Sequence, residues 1–207
     1  MSFHPLSAQK KNGFGLTGGI KIGINFADLT GPAIDELNQT KQKSGLAIGG
    51  FLTIKLSDMF ALQPELLYSQ KGAKRSDNWG QVTWTNYYDL VYVDVPLLFK
   101  IFIPTKSQFR PNLFIGPFLS FALSGKWEID NGGTSEVYDF HDMKNMDFGI
   151  VIGSGIDIPL GSQVKLCMDI RFCPSLTQIS KLADVDSYTT ILKSYNSVFS
   201  FLMGIGF

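Results

Sequence analysis

The sequence has no run approaching the roughly 18 consecutive apolar residues that a membrane helix needs. A helical span is thereby excluded, and any entry into a bilayer has to be made by strands, the other element that satisfies its own backbone there. Cysteine is nearly absent: Cys167 and Cys173 are the only two. Six positions apart on one strand they lie about 20 Å from each other, beyond the reach of a disulfide. Charge of one sign is lacking as well, since the net charge over 207 residues is zero, and nothing favours nucleic acid as a partner. The opening MSFHPLSAQKK lacks a basic region followed by a long apolar one, so no complete secretory signal is present. Leu6-Ser7-Ala8 before Gln9 reads as the remnant of one. Residues 1–12 are therefore expected to be a tail and residues 13–207 a single domain.

What the sequence does have is alternation. Eight stretches show period 2, the spacing that sends successive side chains to opposite faces of a strand. They run from Phe14 to Phe26, Gly45 to Leu56, Phe60 to Lys71, Tyr87 to Ile101, Pro111 to Leu123, Asp147 to Ile158, Val164 to Cys173 and Tyr195 to Phe207. In the third, Phe60, Leu62, Pro64, Leu66 and Tyr68 oppose Gln63, Glu65, Ser69 and Lys71. No stretch reads as a helix. The short links, around 57–59, 104–108 and 159–162, alternate with long polar ones at 27–43, 72–86, 124–146 and 174–194.

Alternation is equally compatible with a soluble lipocalin-like barrel, apolar inside, and an outer-membrane barrel, apolar outside. Four features favour the second. Gly15, Gly19, Gly23, Gly49, Gly116, Gly149, Gly153 and Gly204 crowd the polar face, as a narrow eight-stranded interior requires. The stretches are mostly about 10 to 14 residues, long enough to cross a bilayer at the usual tilt. Aromatics on the apolar face, among them Phe14, Phe26, Phe60, Tyr68, Tyr87, Phe99, Phe148, Phe172, Tyr195 and Phe207, sit near strand ends like interfacial girdles. The long and short links fall at opposite ends, like extracellular loops and periplasmic turns. The expectation is an all-β, closed, eight-stranded antiparallel up-and-down transmembrane β-barrel with four long extracellular loops. Pro64, Pro96 and Pro117 lie inside its strands, where a missing N–H leads us to expect bulges.

The stretches FALQPELLYSQKG (60–72) and VDVPLLFK (93–100) resemble those of the PorT-like outer-membrane β-barrel proteins of Bacteroidetes-type bacteria. The pieces Asp147-Phe148-Gly149-Ile150, Gly153-Ser154-Gly155-Ile156-Asp157 and Gly204-Ile205-Gly206-Phe207 are similar too, so the resemblance spans the chain from Gly13. It implies the fold and an outer-membrane location, and it assigns no reaction and no catalytic residue.

Nine charged residues fall on the inward face: Lys21, Lys55, Glu65, Asp94, Lys100, Asp157, Lys165, Asp169 and Arg171. Charges in a confined interior need partners, so they are expected to form a structural ionic network that fills the lumen, with an ion or proton path as the alternative. Gly13 to Gly18 fits G-x-G-x-x-G but starts a strand and precedes no helix, so it is read as chance and no cofactor is expected. Acids at 128–132 and 184–187 do not complete a calcium loop, and no metal is expected. His141, the only histidine outside the tail, lies near Ser135, Asp139 and Asp142, which leaves a lipid-modifying enzyme as an alternative. The leading expectation is a non-enzymatic envelope scaffold with outer-membrane lipid around it and a possible envelope protein partner. Phe199, Phe201, Met203, Ile205 and Phe207 form an apolar row at the end of the last strand, resembling a signal for the outer-membrane assembly machinery.

Overall fold

A computed structural model describes residues 15–31, 40–79, 82–130, 134–139, 144–161, 163–178 and 194–207. It contains the strands β1 (Gly15–Thr30), β2 (Thr40–Lys55), β3 (Phe60–Trp79), β4 (Val82–Phe102), β5 (Arg110–Asp130), β6 (Ser135–Asp139), β7 (Met146–Pro159), β8 (Lys165–Pro174) and β9 (Tyr195–Gly206). Each strand pairs antiparallel with its neighbours in the order β4-β3-β2-β1-β9-β8-β7-β5, and β4 pairs back onto β5, which closes a ring of eight. The ring shuts between β1 and β9, where the backbones of Gly18 and Phe207 exchange hydrogen bonds of 3.1 and 2.8 Å. The ninth strand, β6, was not expected. It stands outside the ring, paired with the far end of β5.

The alternation sorts the side chains. Isoleucine, leucine and phenylalanine face outward, with Ile20 and Leu66 64 % and 59 % exposed, whereas the polar residues opposite them are buried. Several side chains of these types turn inward instead, among them Leu67, Leu98 and the three rings of Phe51, Phe114 and Phe118. Each of these rings lies directly across from a glycine, in the pairs Gly19–Phe51, Phe114–Gly153 and Phe118–Gly149. A Cβ on any of those glycines would strike the facing ring. Small residues on one strand therefore make room for large ones on the next, the complementarity that a narrow barrel interior requires.

The strands are unequal in height. One end of the ring carries tight connections, such as the turn in which Ser57 Oγ accepts hydrogen bonds from the backbone N–H groups of Met59 and Phe60 at 3.2 and 3.1 Å. At the other end β3, β4 and β5 rise well above their neighbours and, with β6, form a projecting sheet. Most of the link expected at 72–86 is thus a hairpin, and the link expected at 124–146 holds the end of β5 and all of β6. Both faces of this sheet carry polar residues, so the apolar alternation that marks the strands below is missing. Gly72, at φ 132°, sits where β2 gains one residue on β3 between Gln42 and Ala47. That left-handed conformation favours glycine.

The prolines correct another expectation. The bulges lie at the Gly72 irregularity and at Leu123, opposite Val91 and Tyr92, and not at the prolines. The register runs unshifted through Pro64, Pro96 and Pro117, and only the pairs on one side of each are interrupted: Leu52 with Pro64, Glu65 with Pro96, and Leu97 with Pro117. Each ring nitrogen faces the preceding strand and omits one donor. No extra residue is needed, because the proline carbonyl still accepts.

Candidate functional site

The polar face of the ring converges on a buried cluster. Lys21 of β1 donates to Glu65 of β3 at 2.9 Å and to Asp169 of β8 at 2.5 Å. Arg171 of β8 grips Glu65 with both terminal nitrogens, at 2.6 and 2.9 Å, and reaches Asp169 at 2.7 Å. Strands β3 and β8 are not neighbours in the ring, so these contacts cross the interior. Two cations meet two carboxylates, and all four residues are at most 4 % exposed. The cations also lie over ring faces, Lys21 over Phe51 at 4.8 Å and Arg171 over Phe114 at 5.4 Å. Bidentate, charge-matched and aromatic-flanked pairing is what makes buried charge tolerable.

Two further groups flank this centre. Toward the tight-turn end, Asp157 accepts from Lys165 at 2.9 Å and lies 3.7 Å from Lys100. Gln63 joins the two levels by donating to Glu65 at 2.6 Å while its carbonyl accepts from Thr53 at 2.9 Å. Toward the tall end, Lys71 donates to Asp94 at 2.9 Å and to Ser120 at 3.1 Å, and lies over Tyr92. Between the centre and Lys71 is a cavity of about 30 Å³, beside Asn25, Ser69 and Ser200. Above it Asp147 is buried and accepts from Ser175, Thr177 and Asn196 at 2.6, 2.5 and 3.0 Å. Leu29, Ala73, Tyr88, Leu90 and Tyr92 pack into an apolar layer at this end.

The nine charges singled out by sequence therefore divide. Lys21, Glu65, Asp169 and Arg171 meet at the centre, Lys100, Asp157 and Lys165 form the lower group, and Asp94 pairs with Lys71 above. Lys55, half-buried at the end of β2, makes none of these ion pairs among the described residues. Gln63 and Lys71 stand on the polar face in the sequence pattern but are not counted in the network there, and Asp147, Asn196 and the inward phenylalanines go unrecognised. Lys71 and Gln63 share the parity of Glu65, which was the available signal; Asp147 and Asn196 lie at strand ends, where parity carries little weight. His141 and Asp142 lie outside the described residues. Ser135 and Asp139 lie exposed on β6, where Ser135 Oγ donates to Glu128 at 2.6 Å. Nearby, the hydrogen bond that the Tyr138 hydroxyl donates to Glu136, with the charge of that carboxylate, raises the phenol pKa above its ordinary value.

OprG, an outer membrane protein of Pseudomonas aeruginosa, is similar to this chain with a TM-score of 0.51 at 12 % identity, over 93 % of this chain and 95 % of that one. Neisserial surface protein A gives 0.45 at 12 % identity over 93 % and 97 %. Outer membrane protein W of Escherichia coli gives 0.39 at 14 % over 92 % and 98 %. At such identities the likeness to OprG shows the fold alone. No curated protein matches. The family described as the outer membrane protein beta-barrel domain matches residues 7–181, and this chain, an outer-membrane protein, belongs to it.

Proposed function

We propose that the chain is a non-enzymatic, non-conducting barrel whose tight turns face the periplasm. Its tall sheet faces outward and serves recognition or an envelope or secretion complex. The observation that carries this reading is the ion-pair centre bridging β1, β3 and β8. A lumen whose cations and carboxylates grip one another across its width has no free column for hydrated ions. The cavity of about 30 Å³ has room for a water or two and not for a solute path. The exposed outward isoleucines, leucines and phenylalanines suit a lipid surround, and the apolar row ending at Phe207 fits recognition by the assembly machinery. The closer placement among PorT-like barrels rests on the 60–72 and 93–100 stretches. Purified protein in planar bilayers is expected to give no steady conductance steps. Stable, large steps from the folded protein would overturn the reading.

A further inference from the structure

The projecting sheet has two unlike faces. On one, Lys43 pairs with Asp89, and Lys74 lies 5.2 Å from the Tyr87 ring centroid. On the other, Tyr88, Trp127 and Tyr138 stand in direct register across β4, β5 and β6. Their ring centroids are 6.3 and 5.9 Å apart, with interplanar angles of 9° and 41°. Trp127 Nε1 donates to Asn86 Oδ1 at 3.0 Å, and the Tyr138 hydroxyl donates to Glu136 at 2.5 Å. The polar atom of each ring is thus tied to the sheet, which fixes the ring and presents its apolar surface.

That surface stays open. Trp127 and Tyr138 are 36 % and 47 % exposed, and Trp84, at the same parity as Tyr88, is 41 % exposed. All three share the face on which Tyr88 turns into the interior layer with Leu90 and Tyr92, not the outward face, so lipid does not account for them. Large aromatic rings held open to water have a binding partner as their ordinary explanation.

We propose that the row of Trp127 and Tyr138 is a binding site for an uncharged pyranose oligosaccharide at the mouth of the barrel. A pyranose has a C–H face the size of an aromatic ring and a rim of hydroxyls. The rings match the first, and the planar amide of Asn86 and carboxylate of Glu136 match the second. Charge complementarity selects the neutral class. On the row's own face the register places Arg75 and Glu136, one charge of each sign, on either side of Asn86 and Ile129, so no field of one sign attracts an anionic glycan or lipid headgroup. The inference rests on the outward orientation of the tall end given above and names the partner of that surface.

The test uses the full chain folded in a phosphocholine detergent, because sugar-headed detergents would compete. Neutral hexasaccharides of glucose, mannose and N-acetylglucosamine are titrated while tryptophan fluorescence is followed. At least one is expected to bind saturably. Trp127→Ala is expected to weaken it about tenfold or more and Tyr138→Ala to weaken it as well. Tyr87→Ala, on the opposite face, is expected to leave it unchanged. Retained heat-modifiable gel mobility shows that each variant is folded. The site is overturned if no hexasaccharide binds at millimolar concentration, if Trp127→Ala binds like the parent, or if an acidic hexuronate binds more tightly than the neutral probes. Conductance separates the two readings: sugar binding in a conducting barrel refutes only the closed lumen, and its absence in a silent one refutes only this site.

Discussion

Arg171→Met is expected to lower folding stability by about 3–5 kcal/mol, the cost of stranding a buried charge. Without the guanidinium, Lys21 alone faces Glu65 and Asp169, and one carboxylate is left uncompensated where the residues are at most 4 % exposed. Charge counting supplies the control. Arg171→Met combined with Asp169→Asn restores one cation to one carboxylate and is expected to recover a large part of the loss, although each change alone removes hydrogen bonds. Glu65→Gln should also destabilise, because it leaves two cations against one acid. Urea titrations of the protein refolding into lipid vesicles, followed by tryptophan fluorescence, give the free energies. If both single changes are neutral, or the double change is worse than the sum of its parts, water reaches the centre and the closed lumen is wrong.

Phe207→Ser is expected to leave most of the protein outside the membrane fraction in cells while refolding from urea in detergent proceeds almost as in the parent. The side chain is 68 % exposed at the rim, where lipid burial contributes little. The backbone bonds to Gly18 survive the substitution, whereas deletion of the residue would lose both, at about 0.5–1.5 kcal/mol each. A purely energetic role therefore predicts a small effect everywhere. Recognition differs: before the ring closes, β9 is an edge strand with Phe199, Phe201, Met203, Ile205 and Phe207 on one face, suited to pairing with a receptor strand. Equal outer-membrane levels of variant and parent would reduce Phe207 to an ordinary rim residue.

How far the sequence could be read follows from what period 2 encodes. It gives the face of each residue, so the inward parity of Lys21, Glu65 and Arg171 is visible in a single strand. It does not give stagger between strands, and Glu65 and Arg171 are 106 positions apart; their meeting depends on tilt around the whole ring. The Phe114–Gly153 and Phe118–Gly149 pairs were hidden for the same reason. Above Tyr68 the signal fails differently. With polar residues on both faces, Lys74 to Trp79 resemble a loop in sequence though they are paired residue by residue with β4.

The three prolines, finally, concern oxygen atoms more than nitrogens. Pro64, Pro96 and Pro117 take their missing donors from three different seams, so the carbonyls of Leu52, Glu65 and Leu97 each lose a ladder partner and no seam loses two. No water is at hand in a bilayer to replace those donors. At the last of them, the Leu97 oxygen lies where a Cβ of Gly116 would be, and a Cα–H contact is the substitute that glycine permits. Carbon-13 labels on these carbonyls should vibrate at higher amide I frequency than labels on fully paired neighbours such as Leu98, and identical frequencies would show that other donors had reached them. The wall then has a diagonal line of weakly bonded carbonyls, one bond per seam, along which it is electrically most exposed and mechanically least stiff.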